Sequence, residues 1–404
     1  MSRREMEGVR VVEYGPRINA CYAGKFLADL GAQVVKVEFP NGDDAARVFG
    51  PFPGDVPDPE LSALHLYGNC NKYGVTLSLE SPTGRGLFKR LVGWADILID
   101  GAQPGDLDDR GLDFDTLHEI NPRLIVTALS SLGRSGPYGG YRGYELNSWH
   151  ASGSSSFYMG DPNREPLQGA WYQASQWGAV NVAAAAVMGL HARERTGRGQ
   201  YVDISEAEAL ATLYCSIDVS DFYENGNRRV RSGPEMANQA PAGLRLAKDG
   251  WVYIMALAPH QWEGLVQAMG SPDWATSPLF KGTSRDRAPY AEEITHLMTE
   301  WVESHTVKEI FHLCQSHGTP AAPVHSIQDI YEEEHLAQRG FFVEVDHPRA
   351  GRLRMPGAPY KISGDPWRID RPAPLLGQHN RVVYCDWLGV PASQLADLGR
   401  AGVI

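Results

Sequence analysis

The sequence predicts an α/β protein: a doubly wound, Rossmann-like large domain joined to a smaller α+β domain. Two observations carry that expectation. The first is a βαβ opening. Val9-Arg10-Val11-Val12-Glu13 alternates as a strand and stops at Gly15-Pro16. Ala20 to Leu30 follows as a helix with Phe26, Leu27 and Leu30 on one side, and Gly31 closes it. Val34-Val35-Lys36-Val37-Glu38 is the second strand, and three strand-like pieces alternate with helical ones before residue 130. The second observation is the stretch Trp171 to Ser205. It is proline-free, rich in small residues to His191, and broken at Gly197 and Gly199, where backbone angles open to glycine are available. Val202 and Ile204 then alternate as a short strand.

Beyond Ser205 a helical run reaches about Tyr223, and the polar segment Glu224-Asn225-Gly226-Asn227-Arg228-Arg229 reads as a linker. Trp251 to Ala256 is a strand, with helices around Gln261–Met269 and Ala291–Ser304. The acidic run Glu332-Glu333-Glu334, read as a solvated helix face, begins the return to the large domain. The expected division is therefore residues 1–223, a small domain over 224–330, and 331–404.

Composition narrows the function. Of 404 residues, 43% are hydrophobic and 21% charged, ordinary for a globular protein. A net charge of −12 opposes a nucleic-acid groove, which needs clustered cations. No run approaches the roughly 18 apolar residues of a membrane span. Residues 1–7 lack the apolar core of a secretory signal, so a cytoplasmic, membrane-free protein is expected. The five cysteines, Cys21, Cys70, Cys215, Cys314 and Cys385, are scattered and read as reduced thiols. No Cys/His cluster suggests a metal. Glu38 stands where a dinucleotide fold places its ribose-binding acid. The turn Gly15-Pro16-Arg17-Ile18-Asn19-Ala20 lacks the glycine spacing of a pyrophosphate loop, however, which opposes an NAD enzyme.

Several blocks, in order, resemble class III CoA-transferases, the formyl-CoA and carnitine CoA-transferase family. They are Leu27-Ala28-Asp29-Leu30-Gly31-Ala32, Asn69-Cys70-Asn71-Lys72, Ser81-Pro82-Thr83-Gly84-Arg85-Gly86, Asn121-Pro122-Arg123-Leu124-Ile125, Gly136-Pro137-Tyr138, Thr196-Gly197-Arg198-Gly199-Gln200, Gly318-Thr319-Pro320-Ala321-Ala322-Pro323 and Pro374-Leu375-Leu376-Gly377-Gln378-His379. The resemblance implies a large domain built from both chain ends, an interlocked dimer, and a CoA thioester and a carboxylic acid as substrates with no bound cofactor. It also implies a nucleophilic aspartate near the start of the long helix. Counted back from Thr196 that position is 175, and it is Ser175.

A serine ester is not activated as a mixed anhydride is, and a serine hydroxyl needs a base before it attacks; no nucleophile-elbow motif surrounds Ser175. Glu145 falls where family members carry a second acid and is the fallback nucleophile. The racemases of this fold pair a histidine with the aspartate. Here those positions read Tyr144 and Ser175, with His150 six residues beyond Tyr144, so that chemistry is not expected. The resemblance also places CoA contacts at Asn71, Lys72 and Arg142. The nucleotide loop reads Asp100-Gly101-Ala102-Gln103-Pro104-Gly105, with Asp109 where an arginine is expected, Arg110 beside it, and Phe39 at another arginine position. The expectation is a non-catalytic subunit whose homologous partner carries the aspartate, an arrangement the family contains. A self-sufficient homodimer using Glu145 and a silent acyl-CoA-binding protein are the other readings.

Overall fold

The computed structural model describes residues 4–157, 160–214, 216–236, 238–364 and 367–404. Cys215, one of the thiols read from the sequence, lies outside the described residues. The chain forms two compact units. One comprises residues 1–155, 168–227 and 338–404, the other 156–167 and 228–337.

The first unit is built on six parallel strands: β1 (Arg10–Tyr14), β2 (Gln33–Glu38), β3 (Tyr73–Thr76), β4 (Ile97–Asp100), β5 (Ile125–Ser130) and β6 (Tyr201–Ser205). Their order is β3-β2-β1-β4-β5-β6, that of a doubly wound dinucleotide-type sheet. Five strands precede residue 131 where the sequence pattern gives three, because β3 and β4 span only four residues each, too few for alternation to register.

Both faces are buried, and strand periodicity sorts the side chains between them. Val11, Val34, Ile97, Ile99 and Ile125 pack with Ala20, Leu27, Ala179, Val182 and Ala186 of the helices Ile18–Asp29 and Gln173–Thr196. Val12, Val35, Val75, Leu98 and Val126 pack with Phe88 and Leu91 of the helix Pro82–Trp94. The small residues of Gln173–Thr196 allow the helix to lie tight on the sheet. A Cβ at Gly189 would come within 2.8 Å of Ile125, and one at Gly178 within 2.9 Å of Glu206. The helix ends at Gly197 with φ +72°, a left-handed C-cap that glycine adopts without penalty.

The C-terminal stretch closes the β3 edge. Gly74 N–H donates to His379 Nδ1 (3.1 Å), Thr76 N–H donates to Asn380 Oδ1 (2.9 Å), and the buried Tyr384 hydroxyl donates to the Thr76 carbonyl (2.8 Å). An unpaired strand edge is thus covered by side chains. The antiparallel hairpin β10 (Phe342–His347) and β11 (Gly351–Pro356) also belongs to this unit. The second unit holds the antiparallel order β7 (Ala242–Leu246), β8 (Trp251–Met255), β9 (Ala321–Pro323). Its core of Val252, Ile254, Trp262, Leu265, Ile294, Met298 and Ile310 comes from strand β8 and the helices Pro259–Ala268, Ala291–Ser304 and Val307–Ser316. No helix among the described residues is long and apolar enough to cross a membrane.

Charge is buried beside β1 and β2. Glu13 accepts from Lys36 (3.2 Å) and Lys72 (2.6 Å), Lys36 also pairs with Asp44 (2.9 Å), and Arg47 pairs with Glu38 (2.6 Å). The position expected for a ribose-binding acid, Glu38, is therefore an internal ion-pair partner. His65 lies wholly inside, its Nε2 3.0 Å from the Pro374 carbonyl and Nδ1 3.0 Å from the Asn69 amide. Burial, with Arg47 and Lys36 nearby, pushes its pKa well below the usual 6.5. The unfolded chain therefore takes a proton on this residue before the folded one does, and stability falls as pH drops below about 6.5. His65→Gln should flatten the pH dependence of urea unfolding between pH 6.5 and 5, removing a slope of up to about 1.4 kcal/mol per pH unit.

Candidate functional site

In a doubly wound sheet the crevice outside the strand carboxyl ends, where the winding reverses, is open to ligands. Here the reversal lies between β1 and β4, and the loops leaving them are Gly15-Pro16-Arg17 and Gly101-Ala102-Gln103. They approach too closely for side chains at two points. A Cβ at Gly15, whose φ is +126°, would lie 2.5 Å from the Gly101 carbonyl carbon, and one at Gly101 would lie 2.6 Å from the Ala20 methyl. Beside them is a cavity of about 550 Å³ whose wall includes Arg17, Gln103, Tyr144, Glu145, Tyr172 and Ser175. Ile18, Phe39, Val48 and Phe49 supply its apolar side.

Two buried carboxylates organise this wall. Glu145 begins the helix Glu145–Ala151 and accepts from the backbone N–H groups of Ala174 (2.7 Å) and Ser175 (2.9 Å). It thereby caps the first turn of the 24-residue helix Gln173–Thr196, where unpaired N–H groups and the helix dipole favour negative charge. Burial raises its pKa above the usual 4.5 and Glu206 adds to the rise, while the bonds from Ala174 and from the Ser175 backbone and side chain oppose it. Glu206 is fully enclosed. It accepts from Arg17 (3.0 and 3.1 Å), Asn19 (2.7 Å) and Ser148 (2.6 Å), with the Ser131 hydroxyl at 3.5 Å.

The structure brings Ser175 and Glu145 together, as the resemblance implies, at one end of the long helix and on one cavity. The two residues expected at the CoA, Asn71 and Lys72, are committed to internal bonds. Lys72, fully buried, donates to Glu13, the Cys21 carbonyl and Asn69. Asn71 donates to Asp29 (2.7 Å) and accepts from the backbone N–H groups of Asp370 and Arg371, fastening the C-terminal segment. Neither belongs to the cavity wall. Arg142 is exposed, 3.6 Å from Asp106, and also lies off the wall. Arg110, the cation beside Asp109, pairs with Glu80 (2.7 Å). His150 faces Ser155 (Nδ1 to Oγ 2.9 Å) rather than the cavity. Among the described residues no group of acids, histidines and cysteines could hold a metal.

Sequence reasoning missed Arg17, the side-chain role of Gln103, and Glu206. The turn Gly15-Pro16-Arg17 draws attention only as a failed pyrophosphate loop, and Glu206 follows the Val-Asp-Ile-Ser strand with no local pattern to mark it.

Residues 6–380 match the family model described as CoA-transferase family III. The chain belongs to this family. Members act on CoA thioesters. The chain is 33% identical to the succinyl-CoA–L-malate CoA-transferase beta subunit of Chloroflexus aurantiacus, over 99% of this chain and 98% of that one. It is 31% identical to subunit BbsE of the succinyl-CoA:(R)-benzylsuccinate CoA-transferase of Thauera aromatica, over 97% and 95%. A solved CAIB/BAIF family protein from Brucella suis superimposes with a TM-score of 0.83 at 26% identity, covering 95% of this chain and 100% of that one.

The Arg17–Glu206 pair is buried at both ends (side chains 8% and 0% exposed), so removing one partner strands the other's charge. Glu206→Ala should lower the unfolding free energy by about 3–5 kcal/mol in urea titration, far beyond an exposed acid-to-alanine change.

Proposed function

We propose that this chain is the non-catalytic subunit of a heteromeric class III CoA-transferase, which moves CoA from an acyl-CoA donor such as succinyl-CoA to a carboxylic acid. The single observation behind this reading is Ser175. It occupies the first turn of the long helix, beside a capping glutamate, on the cavity at the sheet's switch point. The family resemblance puts the nucleophilic aspartate at this position.

The reaction requires a carboxylate there. A carboxylate oxygen attacks the donor thioester carbonyl, the C–S bond breaks, and CoA leaves as thiolate from a mixed anhydride. The thiolate then attacks the protein side of the anhydride, releasing the donor acid and leaving an enzyme thioester. The acceptor carboxylate attacks that thioester, breaking its C–S bond to expel thiolate and form a second anhydride; the thiolate then attacks the acceptor carbonyl of this anhydride, giving acceptor-CoA and restoring the carboxylate. A serine gives an ester at the first step and the sequence stops. In this reading the partner subunit supplies the carboxylate, and this chain completes the assembly and shapes the acyl pocket. Two relatives that match over nearly the whole chain carry the word subunit in their names, which supports a heteromer. The particular assembly this reading names is the succinyl-CoA:(R)-benzylsuccinate type, a transferase of anaerobic aromatic degradation.

Glu145 is the second reading because its carboxylate lines the same cavity. Its two oxygens, however, each accept a backbone N–H of the helix, and attack on an acyl group would uncap the helix. The isolated chain should therefore transfer no CoA from succinyl-CoA to acid acceptors. Ser175→Asp alone should remain inactive, since the nucleotide loop also lacks its arginine. Robust transfer by the wild-type chain that Glu145→Gln abolishes would move the chemistry to Glu145. Robust transfer by Ser175→Asp would contradict the account of the nucleotide loop.

A further inference from the structure

The cavity wall combines apolar surface with charge of one sign. Ile18, Phe39, Val48 and Phe49 line it, and Val48 and Phe49 are about half exposed, so an apolar group seated there takes hydrocarbon surface out of water. Arg17 is the one cation among the described residues of this wall, and its charge is already matched. Its Nη2 lies 3.0 and 3.1 Å from the two oxygens of Glu206, with both side chains buried. The two acids of the wall have no such match. Asp43 is exposed and has no ion-pair partner among the described residues. Glu145 receives hydrogen bonds from backbone N–H groups but no opposite charge, and burial together with Glu206 raises its pKa.

A second carboxylate brought to this wall would lose water, meet no free cation and stand near two acids. An uncharged hydrocarbon group pays none of these penalties. We propose that this cavity is a subsite for the uncharged, apolar part of the transferred acyl group, a hydrocarbon chain or ring packed on Ile18, Phe39, Val48 and Phe49, and that it excludes a second carboxylate. Where an acid carries one, as a succinyl donor does, that group is held outside this cavity. The inference deepens the transferase reading by naming the part of the acyl group that this chain recognises, and it rests on that reading for the ligand's being an acyl thioester.

Thioesters of N-acetylcysteamine test it on the purified full-length chain, because they carry the acyl group without the nucleotide and their binding needs neither turnover nor a partner. Calorimetric titration near neutral pH would compare hexanoyl, adipoyl and 6-(trimethylammonio)hexanoyl thioesters, which share a backbone and differ at the far end. Hexanoyl should bind about tenfold more tightly than adipoyl, and more tightly than the cationic compound. Phe49→Arg, which places a cation on the apolar side, should reverse the order of hexanoyl and adipoyl. Asp43→Asn should narrow their difference about threefold by removing one repelling charge; its position is exposed, and if Phe49→Arg does not fold, Asp43→Asn decides alone. Adipoyl binding as tightly as hexanoyl, tighter binding of the cationic compound, or no saturation by any of the three would overturn the subsite. A preference that neither substitution alters would overturn it equally. Each of those outcomes leaves the subunit reading standing, since that depends on a partner's carboxylate.

Discussion

The site depends on one buried carboxylate. Glu206, directly after β6, collects Arg17 and Asn19 from the start of the first helix, Ser148 from the helix Glu145–Ala151, and Ser131 from the end of β5. Those segments are far apart in the chain and would otherwise meet only through loops. The gathering also determines the polarity of the cavity. With Glu206 against it, the Arg17 charge is neutralised within the protein, yet one of its nitrogens is left without a protein partner. Gly178 leaves room for the Glu206 side chain under the long helix, so the helix's composition and the ion pair are parts of one arrangement.

Glu145 extends that arrangement to Ser175. Its carboxylate ties the helix Glu145–Ala151 to the first turn of Gln173–Thr196, which sets where residue 175 stands relative to the cavity. An acid that caps a long helix is held by backbone groups of fixed geometry and is a poor candidate for a group that must form and break acyl bonds. The position it presents carries a hydroxyl. In the reading proposed above, this chain keeps the scaffold and a partner supplies the carboxylate that the transfer needs.

The sheet and the long helix were legible because they rest on local patterns: alternating strand residues around Val11 and Val12, and a proline-free run of small residues through Ala179 and Val182. Ser175 and Glu145 were legible through the family resemblance, and the structure sets them side by side. The internal fastening was not. The resemblance places Lys72 at the CoA, and nothing local announces that Glu13, fifty-nine residues earlier, will take its charge. Asn71 likewise serves residues almost three hundred positions away. Buried ion pairs across parallel strands are long-range facts, and Glu206, the residue on which the cavity turns, has no neighbour in sequence that hints at its partners.

The central claim is that this chain works only beside a second, related subunit. Its most direct test is the native mass of the protein purified through a tag from its own cells. The account predicts an assembly of two different subunits, the second a class III CoA-transferase chain with an aspartate at the position matching Ser175, and CoA transfer by the pair. A homodimer of this chain alone that transfers CoA would contradict it.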